Sequence, residues 1–84
     1  MDRGYSVEWC DFETSTFYAG DFIEGNYITK DFATHLEAEK FAVSVLPKDC
    51  FGSVGIREFE MVPYERGQPG RWKRYLTERE SIEA

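Results

Sequence analysis

Apolar and polar residues alternate from the start of the chain: Tyr5, Val7 and Trp9 are apolar, Ser6 and Glu8 are polar, and the pattern blurs at Cys10 and Phe12. A period of two over residues 5–12 predicts a strand with one buried face. Glu13-Thr14-Ser15-Thr16 holds no apolar residue and predicts a turn. Phe17 to Ile23 is rich in aromatic and branched residues but is broken by Gly20, so a second strand with a bulge at that glycine is expected. Glu24-Gly25-Asn26 is a turn signal, and Tyr27 to Phe32 has the β-branched and aromatic content of a third strand. Three such strands in succession predict an antiparallel β-meander.

The period then changes. Thr34 and Glu37 have the Thr-x-x-Glu spacing of a capping box, and Ala38, Phe41, Ala42 and Val45 recur at intervals of three and four, with Leu46 beside them, until Pro47. This predicts a helix over 34–46 whose apolar stripe covers the sheet, because a core this small needs that cover. Val54 and Ile56 share one strand parity, whereas Phe59 and Met61 share the other. A bulge near Arg57 and Glu58 would return both pairs to the core face. Pro63 limits the ladder, and Arg66-Gly67-Gln68-Pro69-Gly70 reads as a hairpin tip. Residues 71–76 are expected as a fifth strand, although Trp72, Tyr75 and Leu76 also suit a helical stripe. Thr77 to Ala84 is polar enough to fray or to form a short helix. The predicted fold class is α+β: an antiparallel sheet of four or five strands (β-meander, helix, β-hairpin) with one helix packed on one face. Val7, Trp9, Ile28, Phe41, Ala42, Val45, Ile56 and Phe59 are its expected core.

Length bounds this picture. Eighty-four residues fit one small domain, residues 1–84, with 77–84 as its fraying end. Such a chain buries roughly two-thirds of its unfolded surface, enough for one core without staples. No apolar run approaches the ~18 residues of a membrane span. Met1 to Tyr5 lacks the basic and then apolar pattern of a secretory signal, so a cytoplasmic location is expected. Cys10 and Cys50 stand forty residues apart outside any Cys-x-x-Cys, and His35 is the one histidine. These are too few ligands for a zinc site, and in a reducing compartment two buried thiols are expected rather than a disulfide. Cofactors and metals are expected to be absent.

Catalytic signatures are missing: there is no Gly-x-Ser-x-Gly, no Gly-x-x-x-x-Gly-Lys, no Gly-x-Gly-x-x-Gly and no His-Glu-x-x-His. Glu58 and Glu60 share a strand parity that acid–base chemistry could use, but exposed alternating acids are ordinary on a strand. His35 falls in the first helical turn, where no catalytic partner is visible. The chain therefore reads as a non-enzyme.

Charge supplies the functional hint. The net charge is −6, with −7 in residues 1–70 and +1 in 71–84. Within the first 31 residues seven acids (Asp2, Glu8, Asp11, Glu13, Asp21, Glu24 and Asp31) face only Arg3 and Lys30. Such a surface repels a nucleic-acid backbone and attracts a basic partner, although acids also simply keep a small domain soluble. Aromatic residues make up 17% of the chain, more than one small core can hide, so some should be exposed as interface anchors. The predicted partner-binding set is Glu8, Asp11, Glu13, Asp21, Glu24 and Asp31, with Tyr18, Phe22 and Tyr27 as anchors. Arg71, Trp72, Lys73 and Arg74 form the one basic and aromatic stretch, which could stack bases while holding phosphate. Edge-strand charges that discourage strand pairing explain the same residues.

In general type the chain resembles the short acidic accessory proteins of bacteriophages and other mobile elements, including some anti-CRISPR and other host-defence inhibitors. The likeness covers no specific motif and assigns no residue a role. It implies a protein that occludes a basic, nucleic-acid-binding host protein in the host cytoplasm, with no direct nucleic-acid binding. Two other readings fit the residues: a homo-oligomeric structural or accessory subunit, and a single-stranded nucleic-acid binder acting through residues 71–75.

Overall fold

The computed structural model describes residues 2–11, 16–18, 21–24, 27–65 and 67–83, and over 16–18 and 21–24 the description is of the backbone. Among the described residues seven strands and one α-helix follow in the order β1 (Arg3–Cys10), β2 (Thr16–Tyr18), β3 (Asp21–Glu24), β4 (Tyr27–Phe32), α1 (His35–Val45), β5 (Ser53–Pro63), β6 (Arg71–Tyr75) and β7 (Glu80–Glu83), with a 3-10 turn at Leu46–Lys48 after the helix. Five of the strands make one antiparallel sheet in the order β4-β1-β5-β6, with β7 on the same side of β5 as β6. The α+β class and the helix against one sheet face are as the sequence predicts.

The meander is not. β1 pairs directly with β4, from Tyr5↔Phe32 to Cys10↔Tyr27, and the stretch between them folds on itself. Tyr18↔Asp21 and Phe17↔Phe22 close a two-stranded ribbon, so 17–23 is two strands and not one bulged strand. The bulge expected at Gly20 falls outside the described residues.

Register sorts the side chains. Tyr5, Val7 and Trp9 face the helix with Ile28, Val54, Ile56 and Ile82, because opposite residues share a face of the sheet. The helix begins where expected: the Thr34 hydroxyl accepts the Glu37 N–H at 3.3 Å and donates to Glu37 Oε1 at 2.9 Å. Small Ala38 and Ala42, fully buried one turn apart, let the helix lie close on the sheet. Phe41 fills the side of this contact, edge-on to Trp9 at 5.2 Å and beside Phe32 at 5.1 Å, and is capped by the Lys30 ammonium at 4.9 Å. Ile28 and Phe41 are half-buried at the margin of the core, while the central positions are fully closed.

The predicted bulge at Arg57 and Glu58 is also corrected. β5 runs past β1 in unbroken register through Ser6↔Arg57, Tyr5↔Glu58 and Gly4↔Phe59. Phe59 therefore points away from the helix and is buried on the opposite face, where the Lys73 ammonium sits 4.5 Å from its ring centre. The irregularity lies on the other side of β5, between β6 and β7. There the Leu76 N–H donates to the Glu58 carbonyl at 2.8 Å and the Glu58 N–H donates to Thr77 Oγ1 at 3.0 Å, so the interrupted ladder keeps its hydrogen bonds. Beyond it Glu80–Glu83 is a strand, not a frayed end or a helix, with Ile82 opposite Val54. The hairpin tip behaves as expected: Gly70 has φ +99°, and a Cβ there would meet the Tyr64 ring at 3.2 Å.

Candidate protein-interaction surface

Among the predicted acidic set, Glu8 and Asp31 make ion pairs within the main sheet. Glu8 and Asp31 both lie on the sheet face away from the helix. Glu8 Oε1 accepts from Arg79 Nε at 3.2 Å and lies 3.5 Å from Arg57 Nη2. Arg79 lies over Gly55, with its guanidinium also donating to Ser81 Oγ at 2.6 Å. Asp31 accepts from Lys73 Nζ at 2.7 and 2.9 Å, a pair that ties β4 to β6 across the two strands between them. Arg57 sits 4.9 Å over the Tyr75 ring on the same face. Glu8 and Asp31 are thus neutralised within the sheet and offer little net charge to a partner.

The basic stretch is committed in the same way. Arg71 pairs with Asp2 at 2.6 Å and Lys73 with Asp31, while Arg74 pairs with Glu60. The Arg71 guanidinium holds the Asp2 carboxyl below its ordinary pKa. Strand alternation also splits the stretch, placing Trp72 and Arg74 on one face and Arg71 and Lys73 on the other. Trp72 is exposed opposite Val62, without the clustered cations that a phosphate chain needs.

Of the remaining predicted residues, Tyr27 and Asp11 have described side chains, at the end of the sheet where β1 stops and β4 starts. Tyr27, 59% exposed, stacks on Phe51, 52% exposed, with ring centres 6.1 Å apart and planes 28° from parallel. This aromatic pair stands where β1 ends and β4 begins, at the root of segment 11–26. Asp11 is half-buried in an isolated antiparallel bridge with Asp49. Glu13 lies outside the described residues, as do the side chains of Tyr18, Asp21, Phe22 and Glu24; the backbone places the last four on the β2–β3 ribbon.

Sequence reasoning gave His35 no role, yet it links the helix to the last strand. Its Nε2 lies 2.8 Å from Glu80 Oε2 and its Nδ1 3.6 Å from Glu39, and Tyr5 meets the ring edge-on at 5.4 Å. The signal in the sequence was the Glu four residues after His35; Glu80 is remote in sequence and could not be read. Tyr5, His35 and Glu80 line a cleft of about 240 Å³ with Ile56, Glu58, Thr77 and Glu78. No described nucleophile is hydrogen-bonded to His35, so the geometry supports a structural tie.

The Glu80 hydrogen bond raises the pKa of His35 above its ordinary 6.5, while burial of the ring works against it. A folded-state pKa raised above the unfolded value stabilises fully below about pH 6.5 and loses that contribution as pH rises through the folded value. The ring is substantially exposed, so the effect is held below about 1 kcal/mol by solvent screening. Denaturant midpoints should therefore fall slightly from pH 6 to pH 8, and Glu80→Gln should flatten that slope. A midpoint that rises over this range in the wild type alone contradicts the tie.

Among the described residues no three His, Cys, Asp or Glu side chains converge as a metal site, and no helix is long and apolar enough to cross a membrane. Comparison with protein-family models, with characterised proteins and with solved structures finds no match to the chain.

Proposed function

We propose that this chain is a small acidic protein-binding module that occludes a basic, nucleic-acid-binding surface of a host protein, in the manner of phage or mobile-element inhibitors of anti-CRISPR or related anti-defence type. One observation carries the reading: the stretch between β1 and β4 holds carboxylates and aromatic rings with no Lys or Arg of its own. On the main sheet the acids Asp2, Glu8, Asp31, Glu58 and Glu60 each have an arginine or lysine partner. Segment 11–26 contains Asp11, Glu13, Asp21 and Glu24 with no Lys or Arg, together with Phe12, Phe17, Tyr18 and Phe22. The described strands of that segment pair with each other and not with the main sheet, and the exposed Tyr27–Phe51 stack stands at its root. A ribbon dense in carboxylates and aromatic rings suits a groove whose lysines and arginines otherwise hold phosphates.

Affinity capture from a bacterial lysate, followed by binding measurements on the recovered partner, tests this. The expected partner is basic, and Asp21→Lys with Glu24→Lys should weaken binding about tenfold and reduce its dependence on salt. An acidic partner, or unchanged affinity and salt dependence, overturns the proposal. The homo-oligomer reading draws on the outer edges of β4 and of β6–β7, each with a single neighbour among the described strands. Light scattering at high micromolar concentration separates it. Single-stranded nucleic-acid binding through Arg71, Trp72, Lys73 and Arg74 is disfavoured by the ion pairs those cations already make.

A further inference from the structure

Cys10 and Cys50 are distant in sequence and adjacent in the fold. The antiparallel bridge Asp11↔Asp49 aligns the two cysteines that flank it, and the Cys50 N–H donates to the Cys10 carbonyl at 2.7 Å. A single backbone bond of this kind holds the two Cα atoms roughly 5–6 Å apart, while the Cys10 N–H goes to the Asp49 carboxylate and not back to Cys50. That separation falls inside the window of about 4.4–6.8 Å that a disulfide needs. Access is graded: Cys10 is fully buried and Cys50 half-buried.

We propose that Cys10 and Cys50 are a redox-reactive pair that closes an intramolecular disulfide when a small-molecule disulfide such as oxidised glutathione is present. The Cys50 thiolate, the more accessible, attacks one sulfur of the small disulfide and releases one small thiol. The Cys10 thiolate, its proton passing to solvent, then attacks the Cys50 sulfur and displaces the second small thiol. Two protein thiols lose two electrons and two protons, and the small disulfide is reduced to two thiols. The bond closes a loop over residues 10–50, which spans β2, β3, β4 and α1 and removes much conformational freedom from the unfolded chain. Because Tyr27 lies opposite Cys10 and stacks on Phe51, the cross-link fastens the root of segment 11–26.

The inference stands without the proposed partner and is tested on the full chain alone. The protein is equilibrated in glutathione buffers of graded ratio, quenched with acid, alkylated and analysed by peptide mass. The expected product is one Cys10–Cys50 cross-link, with an effective concentration about a hundredfold higher in native buffer than in concentrated guanidinium chloride. Its thermal midpoint should rise by on the order of 10 °C and return on reduction. Cys50→Ser should give no cross-link and no oxidant-dependent shift. Glutathione carried on Cys50 without cross-linking overturns the inference, as do dominant intermolecular dimers or equal effective concentrations in native and denatured protein. The last comparison uses wild-type protein and decides even if Cys50→Ser does not fold.

Discussion

Ala42→Asp should leave this protein largely unfolded. Ala42 has no solvent exposure and lies in the cluster formed by Val7, Trp9, Ala38, Val45, Val54 and Ile56. The helix approaches the sheet closely there because the residue is small, so aspartate adds volume where none is available and buries a carboxylate without a partner. A loss above about 4 kcal/mol is expected, against a total of about 4–13 kcal/mol for a chain of this length. Val43, its neighbour in sequence, points outward and is 56% exposed. Val43→Asp should cost less than about 1 kcal/mol. Circular dichroism with urea titration of both variants measures the contrast. Equal costs, or a loss below about 1 kcal/mol at Ala42, contradict the helix-on-sheet core.

The buried face of the helix is legible in the sequence, because the helix announces itself locally. Thr34, Glu37 and Pro47 mark its ends, and the three-and-four spacing fixes its buried face; all of these signals lie within fourteen residues. Strand order is a different kind of information. The stretch 17–23 reads as one strand because its apolar character is nearly continuous, and only pairing decides that Tyr18 and Asp21 face each other. Once the ribbon closes on itself, β4 is left to take the place beside β1. β7 was hidden for a related reason: Glu80, Ser81 and Glu83 surround a single apolar residue, and the strand forms because Ile82 can pack opposite Val54.

The phase shift in β5 carried real information that was misassigned. It shows that the two halves of the strand bury opposite faces, Val54 and Ile56 under the helix and Phe59 beneath Lys73. The candidate surface was legible only as composition. A count of acids cannot tell Glu8, held by Arg57 and Arg79, from acids on a ribbon whose own segment has no cation. Ion pairs such as Asp31–Lys73 join residues more than forty positions apart, and they depend on the strand order that the sequence leaves open.

Asp49 is the residue whose importance the sequence conceals most, standing in what reads as a plain connection. It is 4% exposed, and its carboxylate accepts the Cys10 N–H at 3.0 Å on one oxygen and the Phe51 N–H at 2.7 Å on the other. A buried carboxylate is tolerated there because backbone donors replace its water shell. Asp49→Ala removes the acceptors of one buried and one part-buried N–H, for an expected loss of about 2–4 kcal/mol. Asp49→Asn keeps one acceptor oxygen and should lose less. Hydrogen exchange gives the sharper test, since the Cys10 and Phe51 amides should lose protection in Asp49→Ala before those in the β1–β5 ladder do. Both amides lie at the root of segment 11–26, so the ribbon should loosen while the helix and the main sheet stay in place. A variant that keeps wild-type stability and protects both amides would show that this corner is held by something other than the Asp49 carboxylate.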